Sequence, residues 1–187
     1  MKAWFSSTHG GYIFSSGDIG WSQTPWTKRA NDLRSSVNSF SDLQNNAYDK
    51  DSPWFYCDWG GRSEYNNTAW LKSDEVADIV NVLSLVKRDS STAVHLVQTD
   101  KPNSQGSDTW DAGRVKDELR NRGGSPYNSI DSIDISWDKD IGKTNSITVH
   151  GDAGATTFDA GDFKNYFNLR APANIQIVGP LFNVERR

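Results

Sequence analysis

The chain is almost without cysteine: Cys57 stands alone among 187 residues. A single thiol excludes an internal disulfide framework and any multi-cysteine zinc site, so stability has to come from ordinary burial. Long apolar runs are absent as well. Nothing approaches the roughly 18–20 consecutive apolar residues of a membrane-spanning helix. The opening Met1-Lys2-Ala3-Trp4-Phe5-Ser6-Ser7 lacks the apolar stretch of a secretory leader, and a soluble chain is the expectation. Nor is there an excess of positive charge. Lys and Arg number 20 against 24 Asp and Glu, giving a net charge of -4 and a pI near 5.3. That balance removes the long-range attraction that nonspecific binding to nucleic acid or to an anionic membrane needs. Glutamate is scarce: Glu64, Glu75, Glu118 and Glu185 are the only four, so aspartate supplies the remaining carboxylates. Aspartate favours helix caps and turns, and many loops are expected.

What the chain has in quantity is aromatic surface. Eight Trp, six Tyr and eight Phe make 12% of an otherwise polar sequence of mean hydropathy -0.69. Its length suits one compact domain. Lys2 to Phe14 predicts two short strands around the small-residue turn Ser7-Thr8-His9-Gly10-Gly11. Asp18 to Gly61 keeps neither a period of 2 nor of 3.6 and predicts a long irregular segment, with a short helix near Ser41 to Asn46. Ser73 is expected to cap a helix in which Val76, Ile79, Val80, Leu83 and Val86 recur at helical spacing. Asp111 announces a second helix through Val115 and Leu119 to a stop at Gly123-Gly124. Alternation at Ile133, Ile135 and Trp137, and again at Ile147 and Val149, predicts a hairpin with a loop at Gly142-Lys143. A strand at Ala155 to Phe158, a helix carrying Phe163, Tyr166, Phe167 and Leu169, and a last strand at Ile175 to Val178 complete the reading. The fold class expected is α+β, with short-stranded mixed or antiparallel sheets and about three helices.

Chemistry-bearing motifs are few. Gly-x-Ser-x-Gly, phosphate-cradling Gly-x-x-x-x-Gly-Lys and dinucleotide-binding Gly-x-Gly-x-x-Gly patterns do not occur. His9, His95 and His150 are far apart in sequence, and only His9 sits beside paired glycines, where backbone can approach a ligand. Cleaving a glycosidic bond needs a carboxyl group held over the bridging oxygen and aromatic faces to orient sugar rings. Among the carboxylates, Glu75 suits its helix's first turn, Glu118 a pairing with Arg114 or Arg122, and Glu185 the chain end. Glu64 and Asp18 are left as the weak candidates for an acid. Trp21, Trp26, Trp54, Phe55, Tyr56, Trp59, Tyr65 and Trp70 could stack on pyranose rings or simply fill a core. Trp21 and Trp26, set among Pro25 and polar neighbours, are the two best placed for an exposed groove.

Two groups of segments carry a family resemblance. Ala3-Trp4-Phe5-Ser6-Ser7-Thr8-His9-Gly10-Gly11-Tyr12, then Ser16-Gly17-Asp18-Ile19-Gly20-Trp21 and Thr24-Pro25-Trp26-Thr27-Lys28, form the first. Ser146-Ile147-Thr148-Val149-His150-Gly151, Thr157-Phe158, Gly161-Asp162-Phe163-Lys164, Phe167-Asn168-Leu169-Arg170 and Ile175-Gln176-Ile177 form the second. In order and spacing they resemble the stage II sporulation protein D and amidase-enhancer family, over most of residues 1–187 taken as a single domain, with an insertion around 34–72.

The resemblance implies work in the bacterial envelope, extracytoplasmic or secreted. Members cleave peptidoglycan glycan strands as lytic transglycosylases or stimulate a separate cell-wall amidase. It also implies a ligand-facing surface at Ser7, Thr8, His9, Gly10, Gly11, Trp21 and Trp26. The family's catalytic glutamate belongs to an alanine-rich helix ahead of the Gly-Gly turn, and no such helix is in this sequence. Some relatives set Cys before the glycines and His after them as a metal pair. Here His9 and Tyr12 stand instead, and neither a metal nor another cofactor is expected. Phe163-Lys164 replaces the usual Phe-Arg and loses the planar fork of a guanidinium. The expectation is a module that binds peptidoglycan glycan and is inactive alone; the alternative is an interaction module that stimulates an amidase.

Overall fold

The computed structural model of the protein describes residues 11–31, 33–47, 50, 70–177, 179–184 and 186. The architecture is α+β, as the periodicities predict, with two small antiparallel sheets and four α-helices among the described residues.

The centre of the molecule is built on α2 (Ser73–Arg88). Glu75 reaches back so that its Oε2 accepts the Lys72 N–H (2.7 Å), while Lys87 and Arg88 sit in the last turn, where cations suit the helix dipole. The cap expected of Ser73 falls on Lys72. The Ser73 hydroxyl is occupied otherwise, donating to Ile130 O (2.7 Å) and accepting from Ile130 N (2.8 Å), which clips the helix start to a strand start. α3 (Ala112–Asn121) begins where Asp111 Oδ1 accepts the Arg114 N–H (2.8 Å). It stops at Gly123, in the left-handed region at φ 72°, and at Gly124, where a Cβ would stand 2.3 Å from Leu119.

β3 (Ile130–Asp138), β4 (Lys143–Gly151) and β5 (Gly154–Asp159) form an antiparallel sheet in that order. Ile147 pairs with Ile135 on one side and Phe158 on the other. The face bearing Ile147, Val149 and Phe158 is buried with Ala77, Ile79, Val80 and Leu83 of α2 and Phe163 of α4 (Ala160–Arg170). The opposite face is polar: His150 Nε2 lies 2.8 Å from Asp134 Oδ2, and the Thr148 and Thr157 hydroxyls are 2.9 Å apart. This division is the usual one for an antiparallel sheet with one wet side.

The last predicted strand is not formed at Ile175–Ile177. Asn168 takes the place of a strand partner there: its Oδ1 accepts Ile177 N–H (2.7 Å) and its Nδ2 donates to Ile177 O (3.0 Å). Ala173 and Asn174, both at positive φ (55° and 57°), turn the chain toward that amide. Further on, Thr144 Oγ1 donates to Phe182 O (2.9 Å) and accepts from Phe182 N (3.0 Å).

Of the expected amino-terminal hairpin, Lys2 to Gly10 lies outside the described residues. β1 (Tyr12–Ile13) pairs with β2 (Ala30–Asn31), across the loop bearing Trp21 and Trp26. The short helix predicted at Ser41–Asn46 is present as α1 (Phe40–Asn46), started by Ser39 Oγ accepting Asp42 N–H (3.1 Å). Tyr12, Phe14, Val37 and Leu43 make a further small core against Leu33, Phe40, Trp137 and Leu181.

Arg170 is almost wholly buried, yet charged. Its Nε donates to Asp78 Oδ2 (2.6 Å), its Nη2 to Asp78 Oδ1 (3.2 Å), and its Nη1 to the carbonyls of Val97 and Trp110 (both 2.9 Å). Removing one partner of such a pair strands the other with two carbonyls out of water. Arg170→Met is expected to lower the free energy of unfolding by about 3–5 kcal/mol, read from urea denaturation; an unchanged midpoint would show the pair to be dispensable.

Candidate functional site

The segment between β1 and β2 is a loop closed on itself by hydroxyl groups. Buried Ser16 is its hub. Its Oγ donates to Ser22 O (2.9 Å), accepts from Thr24 N (3.2 Å) and lies 2.8 Å from Thr27 Oγ1. Its backbone N–H donates to Thr27 Oγ1 (3.0 Å), and Thr24 Oγ1 stands 3.0 Å from the same oxygen. The 3-10 turn Ser16–Ile19 ends at Gly20 (φ 82°), after which Trp21 N donates to Ser16 O (2.9 Å). Small hydroxyl side chains can make so dense a cluster because each donates and accepts within a short radius.

The two ends of the loop are joined by an ion pair. Asp18 Oδ2 accepts from Ser15 N (2.9 Å), Ser15 Oγ (2.7 Å) and Arg29 Nε (2.8 Å), while Arg29 Nη2 donates to Asp18 Oδ1. The Arg29 guanidinium, with the two Ser15 donors behind it, holds the Asp18 carboxyl far below the usual carboxylate range. An aspartate fixed as an anion cannot serve as the proton donor that glycosidic cleavage requires. Its work is to hold the loop.

What this framework holds out to solvent is aromatic. Trp26 is 83% exposed and Trp21 52%, with Ile19 beside them in sequence at the edge of exposure. Gly11 behaves differently. It is buried at φ 86°, and a Cβ there would lie 2.2 Å from Leu33 Cδ2 and 3.5 Å from Ala47, so this glycine admits packing from Leu33 and does not open its backbone to a ligand. Ser7, Thr8, His9, Gly10 and Glu64 lie outside the described residues, as do Trp54, Phe55, Tyr56, Trp59 and Tyr65.

Beside the loop is a hollow of about 180 Å³ lined by Tyr12, Ile13, Arg29, Ala30, Asn31, Asp140 and Ile141. Its floor is rigid. The Tyr12 hydroxyl donates to Lys139 O (2.6 Å), and its ring lies so close over Gly142 that a Cβ there would stand 2.3 Å from Cγ. Burial, then the charges of Asp140 and Asp138, push the Tyr12 hydroxyl's pKa up, so it stays protonated as a donor. Trp21 and Trp26 do not line this hollow. Sequence reasoning found the two exposed indoles from Pro25 and their polar neighbours, but not Arg29, Tyr12, Asn31 or Asp140. The hollow joins positions more than a hundred residues apart, and no local pattern marks it.

His95 and His150 serve elsewhere. His95 stacks on Trp110 at 4.5 Å, with Arg114 over the same indole and the Asp108 carboxylate meeting both the His95 ring and the Arg114 guanidinium. Among the described residues no three His, Cys, Asp or Glu side chains come together to hold a metal ion. No helix among them is long and apolar enough to cross a membrane. Compared with known proteins, the chain matches no family model, no curated protein and no solved structure at a significant level.

A carboxyl whose folded pKa is depressed contributes stability above its unfolded pKa of about 4, and that contribution is lost as pH falls toward the folded value. Asp18→Asn is therefore expected to destabilise the protein at neutral pH, with the gap to wild type closing progressively below about pH 4. Thermal unfolding of both proteins across that range checks it; a gap that stays constant down to strongly acid pH would show the pair to be inert.

Proposed function

We propose that the chain is a glycan-binding module of the stage II sporulation protein D type, holding peptidoglycan strands against Trp21 and Trp26 in the bacterial envelope and not cleaving them by itself. The observation that carries this reading is exposed Trp26, with half-exposed Trp21 near it in sequence, on a loop fixed by the Ser16 hydroxyl cluster and the Asp18–Arg29 ion pair. An indole buries 150–250 Å² when it packs, at about 25 cal/mol per Å². Holding Trp26 out while cross-linking the backbone beneath forgoes most of that gain and suits a preformed stacking surface. A pyranose has an apolar face that a flat ring covers, with hydroxyls left to polar neighbours. The order and spacing of the segments quoted above supply the choice of peptidoglycan. The lowered pKa of Asp18 speaks against that residue as the acid, and Glu64 lies outside the described residues.

The same surface, with Ile19 added, also suits docking on a cell-wall amidase. Co-sedimentation with purified sacculi, set against pull-down with an amidase, separates the two. Trp26→Ala and Trp21→Ala are each expected to weaken binding to sacculi roughly tenfold, about 1.4 kcal/mol, without shifting the thermal midpoint, and no anhydromuramyl product is expected from the wild type. Full binding by the double variant, or capture of the amidase without sacculi, would overturn the glycan reading.

A further inference from the structure

Resting on the glycan reading, we propose that the hollow between the β1–β2 ribbon and the β3–β4 turn is a second subsite, which takes one neutral pyranose ring of the strand whose neighbouring units stack on the indoles. At about 180 Å³ the space is below the ~300–1,000 Å³ of pockets that enclose a whole drug-sized ligand. It suits a single ring. Tyr12, Ile13, Ala30 and Ile141 give it apolar walls, and Arg29, Asn31 and Asp140 a polar rim.

The chemistry of the rim selects the guest. Arg29 directs Nε and Nη2 at Asp18, its Nη1 makes no hydrogen bond among the described residues, and Asp138 acts on the guanidinium as a second negative charge. The Asn31 side-chain amide likewise makes no hydrogen bond among them. Asp140 is well exposed, and among the described residues its carboxylate pairs with Lys139 Nζ at 3.4 Å. The rim thus offers donors on the ribbon side and carboxylate acceptors on the turn side. Arg29 is already paired with Asp18 and Asp140 with Lys139, so neither an anionic nor a cationic guest finds an uncompensated counter-charge at the rim. A ring of hydroxyls, each both donor and acceptor, needs none and can bond to both sides. Its apolar face has the hydrocarbon walls to rest on.

Arg29 connects the two surfaces. The guanidinium that lines the hollow also clamps Asp18, the anchor of the loop that presents Trp21. Site and loop therefore keep a fixed relation, which favours a linear ligand over a lone sugar.

The test titrates the protein with a soluble linear oligomer of six N-acetylglucosamine units. Affinity is read by calorimetry, and the side-chain signals of Asn31 Nδ2 and Arg29 Nε by nuclear magnetic resonance. Both signals are expected to move on binding. Asn31→Ala, Asp140→Ala and Ala30→Phe, the last filling the hollow, are each expected to lower affinity roughly tenfold while leaving backbone spectra remote from the ribbon unchanged. If Trp26→Ala weakens binding but these three variants bind as wild type and the two signals stay still, the hollow is not a subsite and the indole surface alone carries the glycan. If the wild type binds no oligomer and no sacculi, the glycan reading falls and this inference with it.

Discussion

The rest of the structure depends on one buried guanidinium. Arg170, at the end of α4, meets Asp78 of α2 and the carbonyls of Val97 and Trp110 on the connection to α3. A charge out of water is tolerated only where its donors are matched, so these segments have to arrive in one arrangement. With α2 and α4 held together, Ile79, Val80, Leu83 and Phe163 make a surface that the apolar face of the three-stranded sheet covers, with Tyr127, Ala171 and Ile175 packed in the same cluster. The sheet in turn fixes the tight connection from Asp138 to Gly142, and on that connection rests the Tyr12 ring. The candidate site is thus tied, by a succession of contacts, to an ion pair in a different part of the molecule.

A second principle governs the loop itself. It has little apolar material to bury, and its order comes from hydroxyl–hydroxyl and hydroxyl–backbone bonds around Ser16, closed by one charge pair. Such networks hold only when each member is satisfied. Serine and threonine at 15, 16, 22, 24 and 27, which read in sequence as irregular polar filler, are what makes the irregular backbone a definite shape.

Elements whose burial follows a period were legible. Helix α2 shows its apolar stripe, the β3–β4 hairpin its alternation, and β5 and α4 their glycine and aspartate boundaries. The failures came where a side chain took a backbone's part. Asn168 supplies Ile177 with the two hydrogen bonds a strand would have supplied, and Ser73 bonds to Ile130 where a cap was expected. Neither substitution leaves a mark on hydropathy. The site was half legible for a related reason. Exposed indoles announce themselves by their company, Pro25 and polar neighbours, whereas the Asp18–Arg29 clamp spans eleven positions without periodicity, and the hollow needs the whole fold to bring 12–13 and 29–31 beside 140–141.

Among the described residues the apolar core falls into three clusters, the two on α2 making the larger body and the third standing apart. The larger lies under the sheet and around α2. The smaller, of Tyr12, Phe14, Val37 and Leu43, leans on it through Trp137, whose ring lies 4.6 Å from Phe40, and through Tyr12 over Gly142. Amide protons of the ribbon are therefore expected to exchange through partial openings that leave the larger core intact, an outer tier of cooperativity around an inner one. Any guest settling on the outer tier would slow those openings, coupling occupancy to local folding without a change of shape anywhere else.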